Sequence, residues 1–194
     1  MLPKNVDTPR GRYLQGIIAN ATAEEMNNWP ELSDADYKEI GKLIVIFSYI
    51  DFNLRRMVED YDDAGLLPPP WKGRSKKLKI GPVEEAVRGM LNWPNNALGV
   101  FDRIAKIRSL RNLVAHFAIR RFPNDDAYFF MGKSASDYKN IFGGEADAAG
   151  MLTAALEAPI LQAALKEAQQ IQIWLAGAAS DFAKQLEKGK LIKR

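Results

Sequence analysis

The 194 residues include no cysteine, which removes disulfides, thiolate metal sites and thiol nucleophiles together. They include one histidine, His116, so the one side chain that ordinarily titrates near neutral pH occurs at one place only. Zinc and two-metal centres would have to rest on carboxylates, and the densest acidic stretch, Glu59-Asp60-Tyr61-Asp62-Asp63, reads as a solvated helix end. No metal and no cofactor is therefore expected. The longest apolar run, Leu43-Ile44-Val45-Ile46-Phe47, is far short of the ~20 residues a membrane span needs, and no membrane partner is expected. The opening stretch lacks the apolar core of a signal peptide; together with the missing cysteine this predicts a cytoplasmic protein. Neither sign of charge dominates. With 27 basic and 24 acidic residues the net charge is +3, which permits a polyanionic partner without arguing for one.

What is present is enough for one domain with a sizeable core. Residues 1–30 read as an N-terminal arm, punctuated by Pro3, Pro9, Gly11 and Gly16 and closed by Trp29-Pro30, with a short helix near 22–28 capped by Thr22. The remaining 31–194 read as a helical domain. Its first long helix starts at Ser33, where Ser33 and Asp36 have capping-box spacing. Apolar residues then recur at Ile40, Leu43, Ile44, Phe47, Ile50, Leu54, Met57 and Val58, a period of 3.6 that carries the helix to about Asp62, before Gly65. A stiff connection follows, Leu66-Leu67-Pro68-Pro69-Pro70-Trp71, then a basic run of Lys72, Arg74, Lys76, Lys77 and Lys79. A short helix is expected from Pro82 to Trp93. The next is expected over 97–116, with Val100, Ile104, Ile107, Leu110 and Val114 on one face. After it the period changes: 117–122 and 127–131 flank Pro123-Asn124-Asp125-Asp126 and predict a β-hairpin. Residues 132–150 read as an irregular loop, and a last long helix is expected over 158–188. The fold class predicted is all-α with a small β-hairpin (about 117–131) inserted before the last helix.

Chemistry concentrates at the end of the third main helix, in Arg111-Asn112-Leu113-Val114-Ala115-His116. Arg111 falls at the edge of the apolar sector, whereas Asn112 and His116, four apart, stack on an adjoining face. A guanidinium at a packing edge is costly unless it is paired or lines a crevice. Asp51, which interrupts the apolar run of the first long helix, is a candidate to pair with Arg111 or to orient His116; it also fits a polar stripe with Asn53 and Arg55. The basic run Lys72, Arg74, Lys76 and Lys77 beside Trp71 offers backbone contacts to RNA or, equally, a solubilising loop. Arg120, just past the motif, is a second cationic candidate.

A long helix interrupted by Asp51, then a later helix ending Arg111-Asn112-x-x-x-His116, resembles the HEPN superfamily, whose signature is Arg, a polar residue, a short spacer and His. The resemblance covers roughly residues 33–188; its specific part is six residues long, and the hairpin lies outside the family's minimal four-helix pattern. It implies a four-helix bundle, metal-independent cleavage of RNA in toxin or defence systems, a homodimer with the motif at its interface, and in some cases a cognate antitoxin protein. Other members implied by it only bind nucleotides or partner proteins as non-catalytic dimers. The residues themselves permit attack of a ribose 2′-hydroxyl on the adjacent phosphorus. His116 would be the general base, Arg111 a forked donor to phosphoryl oxygens, and Asn112 an orienting group. One imidazole per chain suggests that a second copy supplies the acid.

Overall fold

Two threonines set the beginning of the chain's helical structure. The Thr8 side chain accepts from the Gly11 amide at 2.9 Å and Pro9 occupies the first helical position, where a missing N–H costs no hydrogen bond; α1 (Pro9–Asn20) follows. Thr22 and Glu25 form a reciprocal capping box, with bonds of 3.2 and 2.7 Å, that opens α2 (Ala23–Asn27). The computed structural model describes residues 8–90, 95–132, 139 and 152–188, with side chains from 99 onward in the second stretch. It is mostly helical, with one small antiparallel sheet. Over the described residues no helix is long and apolar enough to cross a membrane.

The 3.6-residue period placed the long helices well. α3 spans Asp34–Asp63, α5 spans Asn95–His116 and α6 spans Ala158–Glu187, while the shorter α4 runs over Ile80–Met90. Pro82 lies inside the first turn of α4 instead of opening it, still at a position whose N–H has no intrahelical partner. The expected break at Pro94 and most of the 132–150 loop lie outside the described residues.

The chain divides into two units, residues 1–44 with 105–166 and residues 45–104 with 167–194. The first contains the sheet: β1 (Ala118–Arg121), β2 (Ala127–Gly132) and β3 (Leu152–Glu157), in that spatial order and antiparallel throughout. The hairpin of β1 and β2 is where the sequence put it, with Asn124 taking the left-handed conformation (φ 56°) in the turn. β3 was not anticipated, because Leu152-Thr153-Ala154-Ala155-Leu156-Glu157 is rich in good helix formers. Register explains the choice. Phe129 and Phe130 lie opposite Ala155 and Ala154, so each large ring of the central strand has a small neighbour, and both alanines are buried.

The segment read as an arm is built into this unit. Leu14 and Ile18 of α1 and Met26 of α2 are buried with Trp29, Phe122, Ala127, Phe129 and Ala155 in one cluster. The Trp29 ring lies 4.9 Å from that of Phe122 and 4.7 Å from that of Phe129. Pro9 and Gly16, taken as breaks, sit at a helix start and in mid-helix. The second unit is helical. Ile50, Leu54, Met57 and Val58 of α3, Val83 and Val87 of α4, and Ile171 and Leu175 of α6 are all buried in it, and Tyr61 stacks on Phe182 at 4.9 Å. The Tyr61 hydroxyl donates to the Met90 carbonyl at 2.9 Å.

Gly132, at the end of β2, owes its identity to a close approach. A Cβ there would stand 2.7 Å from two ring carbons of the buried Phe117. Gly132→Ala is therefore expected to destabilise the fold by about 1–3 kcal/mol through overpacking. A urea midpoint equal to that of the wild type would show that the Phe117 ring gives way freely.

Candidate functional site

Arg111, Asn112 and His116 occupy the last two turns of α5. Leu110, Leu113 and Val114 are buried, and this apolar anchor fixes the azimuth of the three polar residues between and after them. Arg111 is half-buried, as its edge position predicts. Its Nη1 donates to Asn112 Oδ1 at 3.1 Å, while its Nε is enclosed and has no hydrogen-bond partner among the described residues. Such a donor is costly to hide. His116 is exposed at the last helical position, immediately before the chain turns into β1. Asn112 sits one helical turn below it. Arg111 and His116, five residues apart, leave the helix axis roughly 140° apart. Asn112 lies between these directions, so within one chain it is the link from guanidinium to imidazole.

The other expected site residues fare differently. The Asp51 carboxylate is ion-paired with Arg55, one turn along α3, at 2.8 Å; that partner on its own helix replaces the expected role toward Arg111 or His116, and Asp51 belongs to the other unit. Arg120 is engaged too, donating from Nη1 to Glu31 Oε1 at 3.0 Å, which leaves it a poorer candidate for RNA. In the basic segment Lys72, Arg74, Lys76 and Lys77 are exposed and Trp71 is half-buried. This segment has a defined shape. Asp62 accepts from the Gly73 amide at 2.7 Å and from the Ser75 amide at 3.3 Å. Gly73 has φ 70°, and Ser75–Lys77 form a turn of 3-10 helix. The Gly73 amide, first among these donors, holds the Asp62 carboxyl below its ordinary range.

Sequence reading missed a second polar cluster. Asp36, 3% exposed, was taken only as a capping residue. It also accepts from Arg121 Nη2 at 2.6 Å, Arg121 Nε at 3.1 Å and the Tyr128 hydroxyl at 2.8 Å. Burial pushes its carboxyl upward, but the bonds from Arg121, Ser33 and Tyr128 outweigh it and hold the group well below the carboxylate range. Burial, and then its bond to Asp36, raises the Tyr128 hydroxyl, and the bond to Asp36 raises Arg121. Arg121 also pairs with Asp126 at 2.8 Å and lies 4.4 Å over the Tyr128 ring. With its lone pairs occupied by the protein's own donors, Asp36 ties α3 to the sheet. It is a structural centre. The one signal for it in the sequence was the aspartate where a capping box usually has glutamate.

An open groove of about 1070 Å³ runs between α1 and α2, lined by Arg12, Tyr13, Ile17, Glu24 and Trp29 among others; none of the motif residues lines it. Among the described residues no three His, Cys, Asp or Glu side chains are grouped to hold a metal ion. Compared with protein-family models, with curated proteins and with solved structures, the chain matches none.

Proposed function

We propose that this chain is a HEPN-like, metal-independent endoribonuclease of toxin or defence type that acts on single-stranded RNA. The observation that carries the reading is the state of Arg111: a half-buried guanidinium with an unpartnered Nε, tied through Asn112 toward an exposed His116. Proteins rarely keep such a donor for stability, whereas phosphate recognition needs one. The helical core of the four-helix pattern would be formed by α3, α4, α5 and α6, with the sheet as an addition.

In this reading the neutral His116 imidazole takes the proton from a ribose 2′-hydroxyl as the 2′-oxygen bonds to the neighbouring phosphorus. Arg111 donates to the non-bridging oxygens as charge grows there. The P–O5′ bond breaks and the 5′-oxygen leaves with a proton. The products are a 2′,3′-cyclic phosphate and a 5′-hydroxyl. A second copy's His116 would give that proton, which calls for a homodimer with the motif at its interface. The exposed segment from Trp71 to Lys77 would hold flanking phosphates, and a cognate antitoxin protein would be the natural regulator.

The test is incubation of end-labelled single-stranded RNA in EDTA with the wild type and with His116→Ala. Cleavage to cyclic-phosphate ends is expected from the wild type, with a loss of about 100-fold or more in the variant, and DNA of the same sequence is expected to stay intact. Activity that survives the substitution, or that needs a divalent metal, overturns the mechanism. Binding of RNA or nucleotide without cleavage would assign the chain instead to the non-catalytic dimer modules of the same superfamily.

A further inference from the structure

α3 exposes large apolar side chains that a solvated helix face does not call for: Val45 at 54%, Tyr49 at 55% and Phe52 at 59%. Their spacing of four and then three residues continues in both directions along this one unbroken helix. It passes through Lys42 and Lys38 toward the N-terminus and through Arg56, Glu59 and Asp63 toward the C-terminus. These eight positions fall within a sector of roughly 100° and have the 3.5-residue average of a coiled-coil seam. Lys38, Lys42, Arg56 and Asp63 are exposed and Glu59 is half-buried. Within the described chain Arg56 reaches only Asp60, at 3.8 Å.

The order of side chains along the seam is basic, apolar, acidic. Such a seam complements itself when a second copy runs antiparallel. With the two-fold axis between Tyr49 and Phe52, Lys38 faces Asp63 of the second copy, Lys42 faces Glu59, Val45 meets the aliphatic stem of Arg56, and Tyr49 meets Phe52. Each of these contacts occurs twice, as an isologous interface requires. A parallel arrangement would set Lys38 on Lys38 and Asp63 on Asp63, like on like. We infer that α3 is an interaction surface whose partner is a second copy of this chain, paired antiparallel along this seam. The pairing involves α3 alone and does not rest on the RNA-cleavage reading.

Sedimentation equilibrium of the full chain into the hundreds of micromolar tests it. The wild type is expected to dimerise, and Phe52→Glu to be monomeric over the same range. Lys38→Glu with Lys42→Glu, and separately Glu59→Lys with Asp63→Lys, should each weaken the dimer by at least about tenfold. Mixing these two double variants restores association, and so does combining all four substitutions in one chain. Rescue in the four-fold variant is specific to the antiparallel register, because in a parallel pair it would leave like charges opposed. A monomeric wild type, a Lys38→Glu/Lys42→Glu chain that dimerises as tightly as wild type, or a four-fold variant no tighter than the double variants would each overturn the pairing.

Discussion

Asp36→Ala is expected to lower the free energy of unfolding by about 3–5 kcal/mol, the range for breaking a buried ion pair by removing one partner. Five bonds end on this carboxylate, from the Ser33 amide and hydroxyl, two from Arg121 and one from the Tyr128 hydroxyl. Alanine leaves the buried Tyr128 hydroxyl without its acceptor and part of the Arg121 charge uncompensated, and it removes the capping-box partner of Ser33. Asp36→Asn keeps the shape but loses the charge, so it should fall between the two. The sign of the pH effect follows from the direction of the shift. The folded carboxyl titrates below its ordinary value of 3.8. Its contribution is therefore fully present above pH 3.8 and is lost as pH falls through the folded value. Melting temperatures of wild type and Asp36→Asn recorded from neutral pH downward should keep a constant gap to about pH 4 and converge below it. A gap that is already closed at neutral pH would show that the cluster contributes nothing to the fold.

Arg111→Met is expected to act in the opposite sense: stability unchanged or raised by up to about 2 kcal/mol, with RNA cleavage reduced by about 100-fold or more. The guanidinium has its Nε enclosed without a partner, and its one hydrogen bond goes to the adjacent Asn112. A thioether chain of similar length fills the same edge of α5 without a donor to satisfy. Arg111→Lys tests the fork separately from the charge: it keeps the positive charge but cannot donate in parallel to two phosphoryl oxygens, so most of the cleavage should still be lost. Thermal melts and single-turnover cleavage on the same preparations decide the matter. A destabilised Arg111→Met protein would make the arginine a packing residue and remove the main support for the ribonuclease reading. Together Asp36 and Arg111 set a satisfied buried charge against an unsatisfied one in the same unit.

The long helices were legible because their signal is local and repeated. α3, expected to end near Asp62, ends at Asp63, and the apolar face expected for α5 is the face that is buried. Of the α6 candidates, Leu161, Ile171, Leu175 and Phe182 are buried, while Ile160 is 41% exposed in the first turn. The hairpin was legible from its turn. β3 was not, since its own propensity favours helix and only pairing with β2 makes it a strand. The helix at 9–20 was hidden by a proline and two glycines that read as punctuation, although Pro9 is a starting residue and Leu14 and Ile18 are one turn apart.

By itself, then, the sequence determined whatever depends on neighbours within a turn or two: helix periods, caps, the hairpin turn, and the i, i+1, i+5 placement of Arg111, Asn112 and His116. Tertiary structure alone decided which distant groups meet. It gave Asp36 its partners 85 and 92 residues away, gave Asp51 to Arg55, turned a helix-prone segment into a strand, and left the Arg111 Nε enclosed. The physical reason is range. Helical period and capping act over the few residues that one turn brings together, whereas the partner of a buried charge depends on which segments pack against it once the whole chain has folded.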